Sequence, residues 1–214
     1  MSTQLMSDTD LMTAIAAERR DLAATLAGLG PVAWDTPSLC AGWRVREVVA
    51  HLTMPFRYSA ERFGQEMAEA QGDFNEMADR AARRDARELA PAELVRVLRE
   101  HETFRWEPPG GGLTGALTHD VIHGLDITVP LGTGRRVPAD SVRTVLDTMT
   151  RPGAPGYFGT DLAGVRLVAD DLDWCCGDGP PVSGQAQNLA LVLCGRQLPA
   201  GQLRGESAAR FTAR

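Results

Sequence analysis

Two histidines four residues apart, His119 and His123, lie in the segment GGLTGALTHDVIHGLDITVPL over residues 111–131, and they constrain this chain more than anything else in it. The glycines lead into an apolar run that reads as a helix. Residues i and i+4 of an α-helix lie on one face, one above the other. Two imidazoles so placed can share one metal ion, and Asp126 falls on the same face a turn further on. A histidine pair on a helix is otherwise a surface feature or part of a satisfied core, so the rest of the chain has to decide. One of the two remaining histidines, His51, sits in an equally apolar helical segment, VREVVAHLTMPF.

At 214 residues the chain is long enough to bury a sizeable core in one domain or two. No apolar run approaches the roughly 20 residues that span a bilayer. The first ten residues, MSTQLMSDTD, lack the basic and apolar regions of a signal peptide, so a cytoplasmic protein without a membrane partner is expected. Cys40, Cys175, Cys176 and Cys194 are not at zinc-ribbon spacing and read as free thiols. Adjacent residues on a strand point to opposite faces, which argues against a redox pair at Cys175–Cys176. A formal charge of −6 argues against a nucleic-acid partner. Every basic residue is an arginine. Lysine Schiff-base and P-loop chemistry are thereby excluded, while arginine remains available to grip carboxylates in bidentate fashion.

The periodicity predicts a helix over residues 7–29, with Leu11, Ile15, Leu22, Leu26 and Leu29 inward and Glu18, Arg19, Arg20 and Asp21 on the outer side. A second helix is expected over 44–67, built on Val45, Val48, Val49, Leu52 and Phe56. Pro55 lacks the N–H that would bond the His51 carbonyl, so this helix should kink or loosen there. Residues 71–90 alternate acids and arginines and read as a loop and a solvated helix. Pro91 opens another helix with Leu94, Val97 and Leu98 inward. His101 lies near its end, between Glu100 and Glu102, and reads as an exposed histidine.

Four long helices up to about residue 131 predict an antiparallel bundle, residues 1–134, that ends at LGTGRRVP. Beyond it, residues 135–214 read as a small α/β domain, which makes the whole chain α+β. This part has a short helix over 139–149, a loop at RPGAPGYFG and strands in GVRLVADD and LDWCCGDG. A helix in QAQNLALVLCGR covers the sheet. Residues 199–214 are polar and are expected to fray.

Such a bundle brings His51 on one helix toward His119 and His123 on another. Three nitrogen ligands with an open fourth position make a catalytic zinc site rather than a closed structural one. The open position can take water, giving hydroxide, or an external thiol, giving thiolate.

The run WDTPSLCAGWRVREVVAHL (Trp34 to Leu52), followed by HDVIHGLDI (His119 to Ile127), resembles the DinB-like, mycothiol-dependent maleylpyruvate isomerase family of actinobacteria. GVRLVADDLDWCCGDG and VSGQAQNLALVLCGR resemble that family's small C-terminal domain. The resemblance implies a divalent metal, usually zinc, on His51, His119 and His123, and mycothiol as a thiol cosubstrate. One position departs from the isomerase proper, which has a glutamate where this chain has His119. Three neutral histidines leave the full metal charge and favour an anionic fourth ligand. They are the commoner set in the wider superfamily, which includes thiol S-transferases.

Asp126 is a candidate catalytic residue, suited to orient a ligand histidine or its neighbour; a plain helix-surface aspartate is the alternative. Arg196, matching the family's C-terminal Gly-Arg, is a candidate to face the cleft and hold a substrate or cofactor carboxylate; a plain helix-end arginine is the alternative. Met54 and Tyr58 follow His51 by about one and two turns and are candidates to line the pocket, Tyr58 toward the cofactor, with ordinary core as the default for both.

The expected function is a metal-dependent enzyme that activates a low-molecular-weight thiol for transfer to, or isomerisation of, a small electrophile. A zinc hydrolase of amides or esters, with Asp126 as base, and a non-catalytic metal-bearing binding protein are the alternatives. A monomer or homodimer is expected.

Overall fold

Helix α1 (Asp8–Ala27) begins where Ser7 caps it, its Oγ accepting the Asp10 backbone N–H at 3.2 Å. The computed structural model describes residues 6–151 and 160–213, so the predicted RPGAPGYFG loop lies, after Arg151, outside the described residues. The apolar stripe of α1 is buried as expected from Leu11 to Leu26, whereas Leu29 lies past the helix end and is half-buried. Glu18 and Arg19, expected on the outer side, are instead 4% and 1% exposed. Each meets an opposite charge inside the fold: Arg135 lies 2.8 Å from Glu18, and Asp120 lies 2.7 Å from Arg19. A charge buried by pairing looks the same in a periodicity pattern as a charge in water.

The single helix expected over 44–67 is two, α2 (Val45–Arg57) and α3 (Ala60–Glu69). The break falls just past Pro55, where Tyr58 turns extended and Ser59 caps the next helix by accepting the Arg62 N–H at 3.1 Å. Helix α4 (Phe74–Glu88) is also less solvated than its charge suggested. Its small residues Ala78, Ala81, Ala82 and Ala86 are buried with Met77, and the helix packs closely on α2. Helix α5 (Pro91–Glu100) follows with Leu94, Val97 and Leu98 inward as predicted.

Helix α6 (Gly112–Thr128) is the central element, packed on α1, α2 and two later helices. Its start sits tightly against the turn before it: a Cβ on Gly111 or Gly115 would come within 2.8 or 2.9 Å of the Pro108 ring. Helix α7 (Ala139–Thr150) then bridges α6 and α8 (Ala186–Leu193). One apolar cluster runs from Ile15 of α1 through Leu117, Val121 and Leu125 of α6 to Leu146, Leu167 and Leu189.

The C-terminal part carries a four-stranded mixed sheet in the order β2-β1-β3-β4. Strands β1 (Arg166–Ala169) and β3 (Pro181–Gly184) are parallel, with Leu167 opposite Val182. Strands β2 (Cys175–Cys176) and β4 (Leu203–Arg204) pair antiparallel on the outside. The fold is therefore α+β, a mostly helical N-terminal region followed by a small sheet. The expectation of a frayed C-terminus is corrected: β4 joins the sheet, and Phe211 is buried and accepts the Leu198 N–H through its carbonyl at 2.8 Å. One aromatic anchor outweighs the polar residues around it. The four cysteines are free thiols, and no helix among the described residues is long and apolar enough to cross a membrane.

The Glu18–Arg135 pair has a consequence for stability. A Cβ on Gly124 would lie 2.9 Å from both Glu18 Oε1 and Arg135 Nη1, so glycine on α6 makes room for the pair. Burial pushes the Glu18 carboxyl up to about 7, against the pull of Arg135. A carboxyl raised in the folded state favours folding below its unfolded pKa of 4.5, and that contribution is lost as pH rises through about 7. Relative to Glu18→Gln, the protein should therefore gain on the order of 1 kcal/mol between pH 8 and pH 6. Denaturant titrations of both proteins across that range check this, and a difference independent of pH would contradict it.

Candidate metal centre

Helix α2 delivers His51, and α6 delivers His119 and His123, to one point. Ligand atoms of the three side chains all lie within 4.8 Å of one another. His51 belongs to the apolar stripe of α2 and is buried, whereas the His119 and His123 side chains keep 15% and 14% exposure. The cluster is thus rooted in the core and keeps partial exposure at the two α6 histidines.

Each α6 histidine is anchored by a carboxylate. His119 Nδ1 donates to Asp120 Oδ1 at 2.9 Å, and His123 Nδ1 donates to Asp126 Oδ2 at 3.0 Å. An ionised carboxylate only accepts, so both Nδ1 atoms carry the proton and both Nε2 atoms present lone pairs. Each carboxylate is in turn held by an arginine. Arg19 Nε donates to Asp120 Oδ2 at 2.7 Å, and Arg196 donates through Nε and Nη2 to both oxygens of Asp126, at 2.8 and 2.9 Å. Asp126 is fully buried and Asp120 nearly so. His51 lacks such an anchor among the described residues: its Nδ1 is buried with no hydrogen-bond partner there, and its ring packs against Trp43 at 5.2 Å. Trp106 meets the His119 ring edge-on at 4.9 Å.

This donor set fits a divalent metal. Tetrahedral zinc–nitrogen bonds of about 2.0–2.1 Å put neighbouring ligand nitrogens about 3.3 Å apart. His119 Nε2 and His51 Nε2 are 3.3 Å apart.

Residues 15–105 match the family model described as the mycothiol maleylpyruvate isomerase N-terminal domain. The chain resembles the mycothiol-dependent maleylpyruvate isomerase family. The matched stretch contains His51 and stops short of α6. A solved structure, the crystal structure of the mycothiol-dependent maleylpyruvate isomerase, superposes with a TM-score of 0.52 at 15% identity, covering 95% of this chain and 94% of that one. A histidine-to-alanine mutant of that enzyme gives a TM-score of 0.52 at 14% identity with the same coverage. These likenesses show the fold shared with the maleylpyruvate isomerase. No curated protein matches the chain.

The electrostatics of the site keep His51 and His123 neutral. Burial, reinforced by the other two imidazoles, holds His51 well below its ordinary value, and burial also lowers His123 despite Asp126. Burial acts to raise the Asp126 carboxyl, but Arg196 and His123 outweigh it and hold it below the usual carboxylate range. The two nearby thiols are the reverse case. Burial pushes Cys40 up to about 11 and Cys194 up to about 12, although Arg196 pulls both down.

Of the other sequence candidates, Arg196 lies just after α8 and directs its fork at a carboxylate of the protein itself, Asp126. Tyr58 stands in a different setting. Its hydroxyl donates to Asp85 at 2.9 Å and accepts from Arg84, and Arg62 lies 3.8 Å over its ring. None of these contacts involves the three histidines. Met54 packs in the same small cluster as Tyr58. His101 is corrected from exposed to half-buried: it stacks on Phe56 at 5.3 Å, and its Nδ1 donates to the Val97 carbonyl at 2.8 Å. Asp120, Arg19 and the two tryptophans escaped the sequence reading. Two signals were present, the His-Asp pair at 119–120 and the position of Arg19 four residues after Ile15 on the apolar stripe.

Proposed function

We propose that this chain is a metal-dependent enzyme that binds a low-molecular-weight thiol, mycothiol by the family resemblance, and adds it to a small electrophile, releasing either the adduct or an isomer. The observation that carries this reading is the convergence of three imidazoles whose two carboxylate partners are each matched by an arginine. Arg19 and Arg196 match the charges of Asp120 and Asp126, so these two carboxylates do not offset the charge of a bound cation. An anionic fourth ligand is then favoured. When bound, zinc or a similar divalent ion supplies the charge that lowers the pKa of a thiol or a water from outside.

The protein's residues do the rest. His51, His119 and His123 hold the ion, Asp120 and Asp126 keep the protons on Nδ1, and Trp43 and Trp106 wall the cluster with apolar rings. The raised thiols of Cys40 and Cys194 stay protonated near neutral pH, so the sulfur is brought in by a ligand. The hydrolase reading needs a general base, and Asp126 is a poor one because Arg196 and His123 occupy its oxygens and depress its pKa.

Cobalt substitution tests the proposal. Thiolate on cobalt absorbs by charge transfer in the near ultraviolet, and water does not. Adding mycothiol to the cobalt protein should produce such a band, more strongly than glutathione does, together with thiol consumption across a panel of electrophiles. A spectrum indifferent to either thiol, with turnover that needs no thiol, would instead support hydrolysis.

A further inference from the structure

We propose that Arg19 and Asp120 form a positioning pair that acts through His119, fixing the tautomer and orientation that a histidine needs at this ligand position. The proposal rests on reading the three histidines as a metal centre. Asp120 Oδ1 accepts the Nδ1–H of His119 at 2.9 Å, which leaves Nε2 with its lone pair directed at His51. Asp120 Oδ2 is fixed in turn by Arg19 Nε at 2.7 Å. The same arginine donates through Nη1 to the carbonyls of Phe104 at 2.7 Å and His101 at 3.2 Å. These carbonyls lie in the segment joining α5 to α6, which also carries Trp106 against the His119 ring. One arginine therefore secures both the hydrogen-bond partner of His119 and the segment whose tryptophan meets its ring.

The burial of the pair points the same way. The side chains of Arg19 and Asp120 are 1% and 4% exposed, at a place on α1 where the helix otherwise turns apolar residues inward. Buried ion pairs are often replaced by apolar residues of similar volume without loss of stability. Core packing alone does not call for charges here, whereas a histidine ligand calls for an acceptor at Nδ1. A carboxylate ligand at position 119 would have no such proton to place.

The test is zinc affinity, measured by chelator competition in the wild-type chain and in the double variant Arg19→Met/Asp120→Leu. That variant leaves no unpaired charge behind, and circular dichroism confirms its fold; Asp120→Asn serves as a second, isosteric variant. Loss of an outer partner typically weakens a metal site ten- to hundred-fold, and the double variant should fall in that range. In a His119→Ala background the same two substitutions should change zinc affinity by less than about threefold, because the ligand they serve is already gone. A loss of equal size in both backgrounds would mark the pair as merely structural and overturn the proposal. So would unchanged zinc affinity in the folded variants. A wild-type chain that binds no zinc would instead remove the metal reading itself.

Discussion

Asp126→Ala should lower the free energy of unfolding by about 3 kcal/mol or more, the range seen when one partner of a buried ion pair is removed. Asp126 is fully buried and accepts three hydrogen bonds, two from Arg196 and one from His123. Without it, a largely buried guanidinium and an imidazole N–H lose their acceptor together. The same substitution should weaken metal binding about ten- to hundred-fold, since His123 is no longer held in one tautomer. Asp126→Asn preserves the shape and one acceptor oxygen, and should fall between the two proteins on both measures. Denaturant unfolding and chelator competition read the two effects separately. A stability loss under about 1 kcal/mol would mean that the carboxylate is not the keystone between α6 and the C-terminal part.

Asp126 also shows what was legible in the sequence. Its spacing from His123 suggested an orienting carboxylate, and the geometry has that form. The convergence of His51, His119 and His123 was legible because helical periodicity places side chains on faces and the bundle pattern turns those faces inward. The helix ends were equally readable where a local cause acts, as with Ser7 at α1 and Pro91 at α5. Long-range partnerships were not. Arg19 and Asp120 are separated by 101 positions and Asp126 and Arg196 by 70, and no local rule connects such pairs. Arg19 was misplaced to the surface for that reason, and so was Glu18. Tyr58 lies just past the end of α2 at Arg57, and its hydroxyl and ring meet Asp85, Arg84 and Arg62. The short strands β3 and β4 were missed because a few residues of sequence carry too little alternation to register.

The proposed metal centre is open to one direct measurement, elemental analysis of the purified protein and its histidine variants. The wild-type chain should carry about one divalent ion, most readily zinc. His51→Ala and His123→Ala each remove one of three converging ligands and should lose it. In His51→Ala the ligand comes from α2, and in His123→Ala from α6, so the two variants test the site from both helices. His101→Ala is the control, because that ring stacks on Phe56 and is not part of the cluster. Metal lost from the first two and retained in the third is the predicted result. Equal retention in all three would contradict the assignment of His51, His119 and His123 as the ligands.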